Sequence, residues 1–305
     1  MMRTNEEQKI HTSVLLQEVL DILDPQPGQH IVDGTANGGG HTFALLEKVL
    51  PDGKILAIDK DCDLIENLKS NVKGQLSNVI PVCDNYANMA GIIAEHHFEP
   101  VGGMLLDLGY SSYHLSRSGR GFSFQNDEPL LMRYETDTHL GTGLTAREVV
   151  NSFPEEELAD ILYRYGQERL SRRIAKAICA ARKIAKIETS RQLADIVSGA
   201  YPKRLYWKTN PATKTFQALR IFVNRELDDL SRALPQAVDA LMQGGKLAVI
   251  SFHSLEDKIV KEFFREQARK GVVSLITKKP IVPTREEISE NPRARSAKLR
   301  ACIKL

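Results

Sequence analysis

The stretch Asp33-Gly34-Thr35-Ala36-Asn37-Gly38-Gly39-Gly40-His41 sets four glycines within seven residues, between a short apolar run and a helical pattern. Glycine lets backbone approach a ligand closely, and the amides offered here belong to a helix N-terminus. A phosphate cradle does not fit. A Walker A loop needs Lys where Gly40 stands, and a dinucleotide fingerprint begun at Gly38 and Gly40 needs Gly where Phe43 stands. NAD is therefore disfavoured, and the expected ligand is a nucleoside without a pyrophosphate. Asp59 follows about one βα unit later, where a carboxylate accepts hydrogen bonds from both ribose hydroxyls, the alternative being a surface acid. Asp84-Asn85-Tyr86 offers an aromatic ring to cover an adenine, and Asp107 ends a further apolar run.

These residues gain meaning from the elements that would carry them. His30–Asp33, Lys54–Asp59, Val79–Cys83 and Gly103–Asp107 read as four strands separated by helical stretches, the alternation of a parallel α/β sheet. In such sheets ligands lie outside the carboxyl ends of the strands, where all the residues above fall. The alternation stops between Gly109 and Gly143, a Ser-, Gly- and Arg-rich stretch, and gives way to helix from about Pro154 to Gly199. It resumes with a helix near Thr215 to Met242 that Pro235 should kink or break. A fifth strand, Lys246–Ser251, follows, then a helix from Ser254 and closing strands at Val272–Thr277 and Leu299–Leu305. The expected fold class is α/β: a Rossmann-like sheet domain, residues 1–110 and 211–305, with residues 111–210 inserted as a loop-rich, helical, basic domain.

The chain has 305 residues, 42% of them apolar, which suits two cores of ordinary size. No apolar run approaches the roughly 18 residues of a membrane span, and the polar start Met1-Met2-Arg3-Thr4-Asn5-Glu6-Glu7 does not resemble a signal peptide. A soluble, cytoplasmic protein is expected. Cys62, Cys83, Cys179 and Cys302 lie far apart with no Cys-x-x-Cys, so neither a disulfide framework nor a metal site is expected. Net charge is only +2, yet Arg164–Arg220 holds fourteen basic residues against three acids, and Arg265–Leu305 eleven against four. Those segments carry +11 and +7, leaving −16 elsewhere, a polarisation that favours a polyanionic partner.

Several longer motifs resemble one family. They are Asp33-Gly34-Thr35 with Gly38–His41, Leu106-Asp107-Leu108-Gly109 with Ser111-Ser112, and Arg120-Gly121-Phe122-Ser123-Phe124. Further along come Pro211-Ala212-Thr213 with Phe216–Ile221, then Gly244–Leu247 with Ile250–Asp257, and Asn291–Ala297. Together they resemble the MraW (RsmH) family of S-adenosylmethionine-dependent methyltransferases of small-subunit ribosomal RNA, and span nearly the whole chain. The resemblance implies a methyltransferase of 16S ribosomal RNA, acting within the small ribosomal subunit and producing N4-methylcytidine in the decoding region. It implies that Gly39, Gly40 and His41 bind the amino-acid end of the cofactor, Asp59 its ribose, and Tyr86 and Asp107 its adenine and methionine portions. Tyr86 stands where the family more often has Phe. His114 stands where the family has a cofactor-contacting Gln, within Gly109–Ser116. Leu131 and Glu135 depart from two carboxylate positions of the segment Asp127–Glu135.

On this reading Asp107 is the catalytic candidate, accepting hydrogen bonds from the cytosine amino group. The amino-methyltransferase motif Asp/Asn-Pro-Pro-Tyr/Phe is absent, so Leu106-Asp107-Leu108-Gly109 takes its place. His253 ends the fifth strand at the same edge and either contacts substrate or is a hydrogen-bonded structural histidine. Ser254 and Asp257 have capping-box spacing. Tyr110, Phe122 and Phe124 either stack on an extruded base or pack inside. Lys203, Arg204, Trp207 and Lys208 form a polar, basic loop with an aromatic suited to RNA, and Arg293 and Arg295 add a second basic site. Two alternatives stand beside this reading. One is a methyltransferase of a small molecule or protein, which has no need of the +11 insert. The other is a catalytically weakened RNA-binding or ribosome-assembly protein that keeps the fold.

Overall fold

The computed structural model describes residues 13–72, 78–135, 143–202 and 210–305. The chain divides into two compact units, 1–109 with 227–305, and 110–226.

The first unit is built on seven strands: β1 (His30–Asp33), β2 (Lys54–Asp59), β3 (Val79–Cys83), β4 (Val101–Asp107), β5 (Leu241–Ser251), β6 (Val273–Leu275) and β7 (Lys298–Lys304). Their order in the sheet is β3-β2-β1-β4-β5-β7-β6. β1 to β5 run parallel, and β7 lies antiparallel between β5 and β6. The chain steps outward from β1 through β2 to β3, then crosses back to place β4 on the other side of β1. That reversal opens a crevice at the carboxyl ends of β1 and β4, the ligand site of a doubly wound sheet.

Helices α1 (Leu16–Leu23), α2 (Gly40–Val49) and α3 (Cys62–Asn71) share one core with Ile31, Ile55, Ala57, Leu105 and Ile250. On the other face Val32, Leu56, Ile58, Leu106 and Val249 meet Ile92 and Ile93 of α4 (Met89–Glu95). Burial on both faces explains why the central strands read as continuous apolar runs without alternation.

The second unit holds α5 (Ser112–Ser116), α6 (Ala146–Ser152), α7 (Glu155–Gly166), α8 (Ser171–Arg182), α9 (Ser190–Ala200) and α10 (Ala212–Asn224) around its own core. Here the structure corrects the expected boundary. Helix α10 belongs to the insert, not to the sheet domain, because it packs on α7. Gln217 and Lys214 donate to the Tyr165 and Gln167 carbonyls at 3.4 and 3.1 Å.

The sheet unit is completed by α11 (Glu226–Ala240, of which Leu227 onward lies in this unit), α12 (Ser254–Arg269) and α13 (Arg285–Glu290). Leu230, Leu234 and Val238 of α11 and Val260 and Phe264 of α12 join the second of its cores. Pro235 does not end the helix that holds it. It sits inside α11, among buried Ala233, Leu234, Ala237 and Val238, and the break falls at Arg225, whose φ of 55° is left-handed. The cysteines give a further correction: Cys62 and Cys83 are joined as a disulfide, which no sequence motif announces, while Cys179 and Cys302 are free and buried. Among the described residues no helix is long and apolar enough to cross a membrane.

Candidate active site

Three aspartates end neighbouring strands of the sheet unit: Asp33 on β1, Asp59 on β2 and Asp107 on β4. Each carboxylate organises backbone around it. Asp33 accepts from the Thr42 hydroxyl at 2.7 Å and from the Thr35 amide at 3.2 Å, fixing both ends of the glycine turn. Asp59 accepts from the Asn37 amide at 2.7 Å and the Asp61 amide at 2.9 Å, one on each oxygen. The amide of Asp107 donates to the Thr35 hydroxyl at 2.6 Å, so the turn is tied to β4 as well.

Two glycines are forced by this geometry. A Cβ on Gly34 would meet the buried Leu106 Cδ2 at 2.6 Å, so a side chain there requires Leu106 to move. Gly39 has φ of 84°, and a Cβ there would meet Phe43 and Leu68 at 2.7 and 2.8 Å. It precedes Gly40, the first residue of α2, so its conformation turns the chain into that helix.

His41 lies at the centre. Its Nε2 is 3.1 Å from the Val14 carbonyl, which only a donor satisfies, and its Nδ1 is 3.5 Å from Asp107 Oδ2. With Nε2 carrying a proton, the Nδ1 and Asp107 Oδ2 face each other across one further proton. Asp107 Oδ1 is buried and has no hydrogen-bond partner among the described residues.

Burial drives all three carboxyls toward the neutral form. It pushes Asp33 up to about 6 despite hydrogen bonds from Thr42 and Thr35, and Asp59 up to about 7 despite the Asp61 and Asn37 amides. Asp107 is raised well above the ordinary range by burial, then by the negative charges of Asp33 and Glu256. Such a cluster favours a ligand that brings positive charge and hydroxyl donors. Asp59 retains a free lone pair on each oxygen for two ribose hydroxyls. The orphaned Oδ1 of Asp107 suits a further donor. The donor set therefore fits S-adenosylmethionine.

The structure brings Gly39, Gly40, His41, Asp59, Tyr86, Asp107 and His253 to the strand-end side of the sheet unit. Tyr86, half-buried, opens a short turn (Tyr86–Asn88) directly after β3. His253 caps α12: its Nδ1 accepts from the Glu256 amide at 3.3 Å, and Glu256 Oε2 accepts from the Phe252 and His253 amides at 2.8 and 3.2 Å. The capping box is thus His253 with Glu256, one residue before the expected Ser254 with Asp257. Asp257 is drawn away by β7, accepting from Arg300 at 2.6 Å and Lys298 at 3.1 Å. His253 Nε2 stands 3.1 Å from Glu256 Oε1 but outside hydrogen-bond geometry.

His114 lies in the inserted unit. It is 2% exposed, packs its ring against Phe122 and Tyr134, and accepts from the Ser111 amide at 3.0 Å through Nδ1, closing the cap of α5. Phe122 stacks on Tyr134 and Phe124 meets Phe216 edge-on, which makes both core residues of the insert. Tyr110 stays exposed, with the Arg220 guanidinium 4.7 Å from its ring centre.

Arg293 and Arg295 are exposed on the short turn Pro292–Ser296. Lys203, Arg204, Trp207 and Lys208 lie outside the described residues. Exposed Arg169, Arg172, Arg173, Lys176, Lys183 and Lys186 supply basic surface on and beside α8. Arg220 does not contribute to that surface. It is buried and forms a bidentate pair with Glu226, 2.8 Å on each arm, and Tyr134 donates to the same carboxylate at 3.0 Å. Sequence reasoning missed this pair, because Glu226 sits just past the basic window, and it passed over Asp33, whose flanking Thr35 and Thr42 were the available signal.

The model of the MraW methylase family matches residues 8–305. A protein of Deinococcus deserti called ribosomal RNA small subunit methyltransferase H is 47% identical over 298 residues, covering 98% of this chain and 94% of its own. Proteins of the same name from Syntrophotalea carbinolica and Coprothermobacter proteolyticus are 44% and 45% identical, covering 97% and 95% of this chain and 98% and 94% of their own. With motifs and topology in agreement over nearly its whole length, the chain belongs to the MraW methylase family.

Proposed function

We propose that this chain transfers a methyl group from S-adenosylmethionine to the exocyclic N4 of a cytidine in the decoding region of 16S ribosomal RNA, acting on the small subunit or its precursor. A methyltransferase of small-subunit ribosomal RNA is what family membership and the relatives' shared name support. The finer reading rests chiefly on one observation, the buried Asp107 with an unpartnered oxygen at the strand ends.

A cytosine amino group is a poor nucleophile because its lone pair is delocalised into the ring. An acceptor for its protons draws the nitrogen toward tetrahedral geometry and frees that pair. Asp107 suits this task, since its buried Oδ1 has no partner among the described residues and is open to accept from the amino group. His41 holds the opposite oxygen and sets the proton between them. S-adenosylmethionine supplies the methyl group on a sulfonium. Gly39, Gly40 and His41 are assigned to its amino-acid end, Asp59 to its ribose and Tyr86 to its adenine, and holding nitrogen and methyl in line contributes up to roughly 7 to 11 kcal/mol in favourable systems. His253, with its Nε2 unbonded, is the second candidate on the substrate side.

RNA is assigned to the exposed cations around α8, the basic residues Lys203, Arg204 and Lys208 with Trp207, and Arg293 with Arg295. Labelled methyl transfer to naked 16S rRNA, to assembled 30S particles and to protein tests the whole reading. N4-methylcytidine on nucleoside analysis is the expected product. Cofactor binding without transfer to any of the three would favour an assembly role and overturn the proposal.

A further inference from the structure

The nucleoside half of the site rests on two loops, one following Asp59 and one carrying Tyr86, and α11 holds both. Asp229, buried on α11, receives Lys60 Nζ at 3.0 Å and Asn85 Nδ2 at 2.7 Å on the single oxygen Oδ2. Lys60 directly follows Asp59, and Asn85 directly precedes Tyr86. The amide of Asn85 is fixed at its other end too, because its Oδ1 accepts from Ala87 N–H at 2.9 Å and starts the Tyr86 turn. Arg232 and Gln236 continue the same helical face, at the i+3 and i+7 positions from Asp229. Arg232 donates to Asn88 Oδ1 at 3.3 Å, and Gln236 donates to the Ala87 carbonyl at 2.7 Å and accepts from the Ala90 amide at 3.1 Å.

Three side chains of one helix face thus engage one short turn, and only Asp229 also reaches the β2 loop. Seating α11 on the sheet does not require this. Its apolar residues Leu230, Leu234 and Val238 already do so, and a buried ion pair is a costly substitute for apolar packing. What the polar stripe adds is register between two loops that arrive from different strands.

We propose that Asp229 is a positioning residue for cofactor binding, setting the spacing between the ribose contact at Asp59 and the adenine contact at Tyr86. This rests on the assignment of those two residues to the nucleoside. The test is calorimetric titration of S-adenosylhomocysteine into the full chain as wild type, Asp59→Ala, Asp229→Ala, Asp229→Asn and Gln236→Ala, each checked for its unfolding midpoint. Loss of one charge-assisted hydrogen bond corresponds to about tenfold or more in affinity. Both Asp229 variants should weaken binding by at least about that factor, and Gln236→Ala by less. The KM for S-adenosylmethionine should rise in parallel, while kcat at saturating cofactor and the KM for ribosomal RNA stay at wild-type values. If Asp229→Ala does not fold, the isosteric Asp229→Asn and the less buried Gln236→Ala carry the test. Wild-type affinity in folded Asp229 variants, with Asp59→Ala weakened, overturns the role of Asp229 alone. So does a fall in kcat that excess cofactor leaves in place, which marks a general structural defect. Equal binding by wild type and Asp59→Ala overturns the nucleoside assignment, and this proposal with it.

Discussion

The pH dependence of folding and of cofactor binding offers a direct reading of the carboxylate cluster. Asp59 is raised from 3.8 to about 7, and Asp33 from 3.8 to about 6, both chiefly by burial. A tenfold change in proton affinity corresponds to about 1.36 kcal/mol, so ionising these groups in the apo protein costs on the order of 4 and 3 kcal/mol. The sign follows from proton counts. Between pH 4 and 7 the folded state holds protons that the unfolded state has released, so the stability that these two groups contribute is fully present below pH 4 and is lost as pH rises through 6 to 7. His30 works in the opposite sense, since burial and Lys54 lower its pKa, and the comparison must therefore be made against Asp59→Asn. Urea unfolding of the apo protein from pH 5 to pH 8 should show wild type losing stability relative to that variant. Two ribose hydroxyls donating to Asp59, at roughly 1.5 to 3 kcal/mol each, would pull its pKa back toward the ordinary carboxylate range. Titration of S-adenosylhomocysteine near pH 7 in buffers of different ionisation heat should then report proton release, which the Asp59→Asn variant lacks. Stability of wild type that tracks Asp59→Asn across this range, together with a buffer-independent binding heat, would refute the reasoning.

Asp107→Asn should lower single-turnover methyl transfer by at least about a hundredfold while changing affinity for S-adenosylhomocysteine by less than about tenfold, and a rate fully restored by excess cofactor would reduce Asp107 to a binding residue. Gly34→Ala should cost about 1 to 3 kcal/mol, because its Cβ would press on Leu106 Cδ2 at 2.6 Å, and an unchanged urea midpoint would show that β4 yields freely. Changing Lys203, Arg204 and Lys208 together to Ala should lower the salt slope of RNA binding by about 2 to 3 units and leave cofactor binding intact. An unchanged slope in that variant would move the RNA grip to the α8 cations or to Arg293 and Arg295.

Much of the sheet was legible because its strands are short apolar runs ended by chemistry-bearing residues. β1, β2 and β3 match the expected spans to the residue. β4 and β5 begin earlier, at Val101 and Leu241, where the pairing continues past a register shift that carries no periodic pattern. The glycine turn, Asp59 and Asp107 were legible for a related reason: each sits on a local motif whose spacing already states its place at a strand end. Asp229 was not, because the two residues it joins are 169 and 144 positions away in the chain. Nor was the Cys62 and Cys83 pairing, which depends on Asp59 and Cys83 lying opposite each other in the β2 and β3 register.

The basic insert shows where a count of charges and the work those charges do part company. Of the fourteen cations between Arg164 and Arg220, Arg220 is spent inside, bidentate to Glu226, and Arg182 and Lys214 donate to the Val150 and Gln167 carbonyls. Arg164 is paired with Asp160, although that pair is exposed and therefore weak. A charge balance reads every cation as equal, whereas affinity for RNA depends on those whose hydration and geometry leave them free to displace counterions from phosphate. Arg172, Arg173 and Lys176 are the candidates on α8 for that condition. They are exposed on α8, opposite the stripe of Ile174, Ala175 and Ile178 that the helix buries, so the same periodicity that seats the helix on its core turns its charge outward.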